Sequence, residues 1–173
     1  MLQASPTKIL IVTLGGAPPL GACFEIDMLS LYMAFSAALL GLFATIYSYS
    51  YMVHDTRLTE YYTLLSALVV GIIGVSFAGD FFTFFVFWEL MSVSSYVLVS
   101  FLKGTWGPVE AGWKYLVMSA TAGAFLLLSM SFIYGMTGTL NFAGIALAFK
   151  GAAFTLWPRL LFTTLVIGFG VKS

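Results

Sequence analysis

The sequence predicts an all-α integral membrane protein. Of its 173 residues, 61% are hydrophobic and only 8% are charged, whereas about a quarter of the residues in a soluble domain are charged. Several apolar runs are also long enough to cross a hydrocarbon core, which takes about 20 helical residues. So few charges cannot cover a water-facing surface of this size. We therefore expect a single membrane domain over 1–173, with about six transmembrane helices and the lipid bilayer as its surroundings.

The composition also excludes several classes of function. The formal net charge is zero, so no basic face is available for nucleic acid. His54 is the single histidine and Cys23 the single cysteine, which is too little for an internal disulfide or a metal site. The sequence contains no glycine-rich phosphate loop and no HExxH motif. We therefore expect no metal, no cofactor and no catalytic centre on this chain.

The first 23 residues permit two interpretations. The apolar run that follows Lys8 is closed by Pro18 and Pro19, and it predicts a short or tilted first helix over 8–22. The alternative is a cleaved signal, because a basic residue, an apolar core and the string LGAC together resemble a lipoprotein cleavage motif. The alternation in ACFEID then indicates a small hairpin ahead of the next helix.

Four longer apolar runs predict membrane-spanning helices. They cover 28–52, 61–78, 81–102 and 112–136. Gly71 and Gly74 allow the second of these helices to approach a neighbour closely. Asp80 is expected to cap the third helix. Glycines and Pro108 predict a loop before the fourth.

The two remaining segments are either less apolar than a membrane span or too short to be one. Residues 137–158 are rich in glycine and end in a Trp-Pro pair, so we expect an interfacial segment there, with one amphipathic helix. Residues 159–173 begin a last span, but 15 helical residues extend roughly 22 Å against a core of about 30 Å. We expect an incomplete last span and a polypeptide that is part of a longer design.

The distribution of basic residues predicts the orientation. When the spans alternate, one side holds most of the basic residues, and we assign it to the cytoplasm: Lys8, Arg57, Lys103 and Lys114. The other side holds Glu25, Asp27 and Asp80, with Lys150 and Arg159 as exceptions. We therefore expect a multi-pass protein of the cell (plasma) membrane.

Glu89 lies near the middle of the third predicted helix. A charge at this depth costs at least about 2.5–3.5 kcal/mol, so such residues usually serve an ion pathway or a partner. The carboxyl group has three options, which are to stay protonated, to pair with a cation, or to face a hydrated cavity. A protonated Glu89 that only hydrogen-bonds a neighbouring helix is the structural alternative.

A polar stripe accompanies Glu89. At 100° per residue, its other members fall within about 60° of Glu89 on the helix surface: Ser92, Tyr96, Ser100 and Lys103. Of these, Ser92, Tyr96 and Ser100 could form a polar relay for ions. The alternative is that the serines only support helix packing.

Three lysines are candidate partners for Glu89. Lys103 is roughly 21 Å away along the same helix, and Lys114 could equally extend to the interface. Lys172 follows Gly168 and Gly170 in an apolar run, and glycine at this depth tolerates local unwinding and hydration. Lys172 is therefore the best partner on physical grounds, although a lysine at the end of the chain could also reach an interface.

Three strings resemble one known family. They are FFVFWELMSVSSYVLVSF, EAGWKYLVMSATAGAFLLLSMSFIYGMTGTLNF and IGFGVK. Together they resemble the antiporter-like membrane subunits of respiratory complex I, of multisubunit Na+/H+ antiporters and of archaeal membrane-bound hydrogenases. The resemblance covers residues 24–173, and it includes the family's third helix and the hairpin that precedes it.

The resemblance implies roles for three residues. Glu89 would be the glutamate of the family's fifth helix, Lys172 the lysine of its broken seventh helix, and Lys114 a position on its sixth. It also implies an H+ or Na+ translocating, redox-driven complex with other membrane subunits as partners. The chain would then be a subunit of an oxidoreductase or translocase without a catalytic centre of its own.

The resemblance further implies a truncated antiporter-like inverted-repeat fold. The family's first helix and everything after the lysine have no counterpart in this sequence, so another chain could complete the fold, or the chain could remain as a structural element. Two alternative functions remain. The chain could be a structural or assembly subunit that moves no ion, or a small independent carrier that works as an oligomer.

Overall fold

The computed structural model describes residues 9–15, 21–52, 56–101, 104, 106–150 and 156–172, without the side chains of 156, 157 and 172. Helices dominate this part of the chain. Four of the described helices are long and apolar enough to cross a membrane, which confirms the predicted all-α membrane fold. His54 lies outside the described residues, as do Lys8 and Lys103, which we assign to the cytoplasmic side.

The predicted first helix over 8–22 is wrong in its described part. Strand β1 (Leu10–Leu14) pairs antiparallel with strand β2 (Ala22–Ile26), with Val12 opposite Phe24. An apolar run this short does not distinguish a strand from a helix by its pattern, and β-branched residues in its centre favour the strand. The hairpin indicated by ACFEID is confirmed in strand β2.

Three helices follow in the predicted order. Helix α1 is Met28–Tyr51, α2 is Leu58–Phe77 and α3 is Phe81–Val99. Each has an apolar run close to the predicted length, so their bounds differ from the predicted ranges by no more than three residues at either end. The long apolar runs therefore determine these elements.

Helix α4 (Trp106–Thr137) is longer than predicted. It begins six residues before the predicted start at 112 and includes Pro108 in its first turn. Proline is compatible with a helix there, because the first N–H groups have no partner inside the helix. The expected loop before 112 is therefore wrong from Trp106 onward, and the 32-residue helix extends about 48 Å.

Two shorter helices complete the chain. Helix α5 (Phe142–Phe149) is capped by Asn141, whose side chain accepts from the backbone N–H groups of Ala143 and Gly144. Helix α6 (Leu156–Lys172) is continuous. The local unwinding considered for its two glycines is absent from the described residues, because a regular helix passes through both.

Glycines bring consecutive helices together. A Cβ atom added to Gly71 or Gly74 of α2 would lie 2.9 Å from Met91 or 2.2 Å from Phe87 of α3, respectively, which is closer than packed atoms approach. These contacts confirm the close approach predicted for the two glycines. Gly41 of α1 meets Val69 of α2 in the same way. Without a driving force from water, such close packing is what holds membrane helices together.

Asp80 joins the hairpin to the start of α3. It is buried, and it caps α3 by accepting from the Thr83 backbone N–H at 2.7 Å, which confirms the predicted N-cap. Its other oxygen accepts from the Thr83 hydroxyl at 2.7 Å and from the Cys23 backbone N–H at 2.8 Å. One carboxylate therefore satisfies three donors from two elements.

The turn before Asp80 also contacts the connection between α4 and α5. The Gly79 N–H donates to the Cys23 carbonyl at 2.8 Å, and the Gly79 carbonyl accepts from the Asn141 side chain at 3.3 Å. A Cβ on Gly79 would lie 2.7 Å from Glu25 Cγ, so the close approach requires glycine. We name Cys23, Gly79, Asp80 and Asn141 the polar junction. It ties the hairpin, α3 and the α4–α5 connection at one end of the bundle.

Replacing Asp80 by alanine is expected to expose Cys23. Burial raises the pKa of the Cys23 thiol, and the charges of Glu25 and Asp80 raise it further. The variant loses one of these charges and the acceptor of three hydrogen bonds, so the thiol should become both more accessible and more readily ionised. Maleimide labelling of Cys23 at neutral pH should accelerate at least about fivefold, because an unsatisfied buried donor costs about 1–3 kcal/mol.

Asp27→Ala is the matched control for this experiment. Asp27 caps α1 by accepting from the backbone N–H of Ser30, and this hydrogen bond belongs to a different helix from the one that Asp80 caps. Its labelling rate should equal that of the unaltered protein. If the Asp80 variant were labelled no faster, the hairpin would be held by contacts other than the polar junction.

Candidate functional site

Glu89 lies in the seam between α3 and α4. A Cβ atom added to Gly123 of α4 would lie 2.8 Å from Glu89 Oε1 and 3.7 Å from its carboxyl carbon. The carboxylate therefore occupies the space that a larger residue at 123 would fill. Glu89 points towards the protein interior at this contact, and Oε1 is buried.

The part of the polar stripe at Ser100 faces the same helix. A Cβ on Gly112 of α4 would meet the Ser100 side chain at 2.5 Å and the Tyr96 carbonyl at 3.2 Å. Residue numbers therefore fall along α3 as they rise along α4, so the two helices are antiparallel. The face predicted from the helical period is the face that packs against α4.

The hydroxyl groups of the stripe bond to their own helix. Ser92 is buried and donates to the Trp88 carbonyl at 2.6 Å, and Ser100 donates to the Tyr96 carbonyl at 3.1 Å. A hydroxyl that donates one hydrogen bond can also accept another. The role of Ser92, Tyr96 and Ser100 as a polar relay stays a prediction.

Helix α6 packs along α4 in the opposite direction. The hydroxyls of Ser129 and Thr164 are 2.8 Å apart. One turn further along α6, a Cβ on Gly168 would lie 3.1 Å from the Leu126 side chain. Since α3 and α6 are each antiparallel to α4, they run parallel to each other.

An aromatic cluster fixes the register between α3 and α6. The Phe169 ring packs edge-on against the rings of Phe84 and Trp88, with centroids 5.8 and 5.4 Å away. Position 172 is three residues further along α6, and in parallel helices it is therefore level with position 89 of α3. The Lys172 side chain lies outside the described residues, so its pairing with Glu89 stays a prediction.

Lys114 is not brought to this site. Its ammonium lies 2.7 Å from the Glu110 carboxylate, and both side chains are exposed. Lys114 is nine residues from Gly123, which corresponds to about 13 Å along α4 and the opposite face of the helix. Within the described residues it forms a surface ion pair, of the kind that contributes about 0.3–0.5 kcal/mol.

Three contact residues were not expected from the sequence. Gly123 makes room for the carboxylate, while Trp88 and Phe169 set the register of α6. The small residues of α4 that share one face could have indicated a seam, but no sequence pattern identifies which helix packs against it. No group of three His, Cys, Asp or Glu that could hold a metal occurs within the described ranges.

Two known protein families match most of the sequence that forms this arrangement of helices. Residues 78–173 match the family described as "NADH:quinone oxidoreductase/Mrp antiporter, TM". Residues 16–62 match the family described as "NADH-Ubiquinone oxidoreductase (complex I), chain 5 N-terminus". The first match alone covers more than half of the chain and includes α3, α4 and α6.

Relatives with known names are similar over nearly the whole chain. One subunit of the Na(+)/H(+) antiporter of Bacillus subtilis is 29% identical over 100% of this chain and 35% of its own length. One subunit of the NADH-quinone oxidoreductase of Deinococcus radiodurans is 33% identical over 99% of this chain and 31% of its own length. The chain therefore spans about a third of the length of these relatives.

Solved structures share the fold. A chain of the archaeal membrane-bound sulfane sulfur reductase superposes with a TM-score of 0.73 and 27% identity, over 95% of this chain and 32% of that one. A chain of the Mrp complex from a Dietzia species superposes with a TM-score of 0.76 and 18% identity, over 95% of this chain and 18% of that one. With the family matches, these likenesses confirm the resemblance found in the sequence. This multi-pass membrane chain belongs to the family of antiporter-like membrane subunits of NADH:quinone oxidoreductases and Mrp antiporters.

Proposed function

We propose that the chain is part of an antiporter-like subunit that translocates H+ or Na+ within a membrane complex of several subunits. Glu89 and Lys172 would form its ion-transfer pair. One observation carries this proposal, which is the packing of Phe169 against Phe84 and Trp88. By that contact, position 172 of α6 is level with Glu89, whose Oε1 is buried in the seam between α3 and α4.

The chemistry follows from the distance between the two groups. A nearby ammonium favours the ionised carboxylate, and separation of the pair favours the neutral carboxyl and the neutral amine. A change in that distance therefore lets one group take up a proton while the other releases one. Redox reactions elsewhere in the complex would drive the change, and the surrounding membrane would be the plasma membrane.

Other membrane subunits are the proposed partners. Two solved structures that resemble the chain are those of a respiratory membrane complex and of an Mrp complex. The remaining length of the subunit would supply the groups through which ions reach and leave the pair. Lys114 would take part in ion transfer only if a neighbouring helix covered its exposed side chain, since Glu110 is its partner within the described residues.

Glu89→Gln and Lys172→Ala are expected to abolish most ion translocation without preventing assembly. The Glu89 change keeps the shape of the side chain in the seam but removes the proton-binding carboxylate, and loss of one member of a proton-transfer pair typically costs about 10²–10⁴-fold in rate. The measurements are ion uptake by membrane vesicles that contain the complex, together with its amount on a native gel.

Glu60→Gln is the matched control, because Glu60 is an exposed carboxylate in the first turn of α2. It should translocate ions normally. Normal translocation by the Glu89 variant, combined with loss of the assembled complex, would instead support a structural or assembly role.

Gly123→Ala tests the seam itself. The new Cβ would meet Glu89 Oε1 at 2.8 Å, so the carboxylate must shift, and translocation should fall about tenfold if its position matters. Gly135→Ala is the control on the same helix, because no atom lies within 4 Å of the added Cβ. Alanine should stabilise α4 in both variants, by up to about 1 kcal/mol. Equal transport by the two variants would contradict a positional requirement at Glu89.

A further inference from the structure

Ser119 occupies the middle of the α4 surface that faces the site. Gly112 and Gly123 contact α3, and around the helix axis they are rotated from Ser119 by about 20–40° in one direction. Leu126, which contacts Gly168 of α6, lies about 20° to the other side. Position 119 is therefore directed towards the groove where α3 and α6 both meet α4.

The Ser119 hydroxyl is unusual among the buried serines. Its side chain is 3% exposed, and Oγ has no hydrogen-bond partner among the described residues. Ser94 and Ser129 are as deeply buried, and each donates to the carbonyl four residues earlier. A buried hydroxyl without a hydrogen bond costs about 1–3 kcal/mol, and such groups in folded proteins ordinarily bind an internal water molecule.

The groove lies within reach of the proposed pair. Ser119 is one turn of α4 from Gly123, so it is about 6 Å along the axis from the level of the Glu89 carboxylate. A single water molecule spans such a gap, because it forms two hydrogen bonds of about 2.8 Å each. Position 172 of α6 is opposite the stretch of α4 between Ser119 and Gly123, by the register of the Ser129–Thr164 contact.

We propose that Ser119 binds a water molecule in this groove, and that the water donates a hydrogen bond to the Glu89 carboxylate. Ser119 is then a positioning residue that acts through the water rather than a group that carries the ion itself. The inference deepens the proposed function and rests on it, because the bound water matters for transport only if Glu89 transfers protons or cations.

The test compares Ser119→Ala with Ser94→Ala in the assembled complex. Ser94 is 2% exposed, and it lies on α3 about 140° from Glu89. Ser119→Ala should slow ion translocation roughly fivefold, the factor for one lost hydrogen bond of about 1 kcal/mol. The infrared band of the protonated Glu89 carboxyl, assigned by its loss in Glu89→Gln, should shift to higher frequency. Ser94→Ala should change neither quantity.

The unfolding temperature distinguishes a hydroxyl that binds water from a hydroxyl that binds nothing. If the hydroxyl binds nothing, removing it relieves an unsatisfied polar group, so Ser119→Ala should unfold at a higher temperature than the unaltered protein. Bound water predicts an equal or lower unfolding temperature. Stabilisation together with an unshifted carboxyl band would overturn the proposal. Normal transport by Glu89→Gln would refute the proposed function instead, and the infrared band would still decide whether Ser119 acts on Glu89.

Discussion

The structure depends on how closely α4 approaches the carboxylate of Glu89. An acidic group within an apolar bundle must be held by its surroundings or remain a cost to folding. Gly123 gives the carboxylate its space, and Gly112 lets the same helix contact the far end of the polar stripe. Two glycines eleven residues apart therefore keep α4 against one face of α3. The carboxylate lies near the place where α6 packs against the same stretch of α4, since Gly168 of α6 contacts Leu126.

The ends of the bundle restrain the helices that form this seam. At one end, the polar junction holds the start of α3 to the hairpin and to the α4–α5 connection through Asp80 and Gly79. At the other end, the Arg57 side chain donates to the Phe101 carbonyl and lies over its ring, just beyond the end of α3. Both ends of α3 are therefore fixed, and α6 is joined to the middle of α3 by the Phe169 contacts.

Serines in this fold have two different roles. Most hydroxyls donate to a carbonyl of their own helix, as Ser92 and Ser94 do, which removes a polar group from the apolar surroundings and lets the helices pack. The Ser129–Thr164 pair adds a contact between helices. Ser119 follows neither pattern among the described residues, and it lies in the groove that the proposed transfer pair would share.

The sequence by itself determined the membrane fold, the four long helices, the capping by Asp80 and the polar face of α3, because hydropathy and helical period are local properties of the chain. It predicted a helix for the first segment, since a short apolar run suits a strand as well as a helix, and it placed the start of α4 too late, since Pro108 marks either a loop or a first turn. Only the tertiary structure decided that Glu89 meets Gly123, that Phe169 sets α6 level with it, and that Lys114 faces away. Those outcomes depend on which helix packs against which, and in apolar surroundings that choice rests on the fit of small and large side chains across the whole bundle.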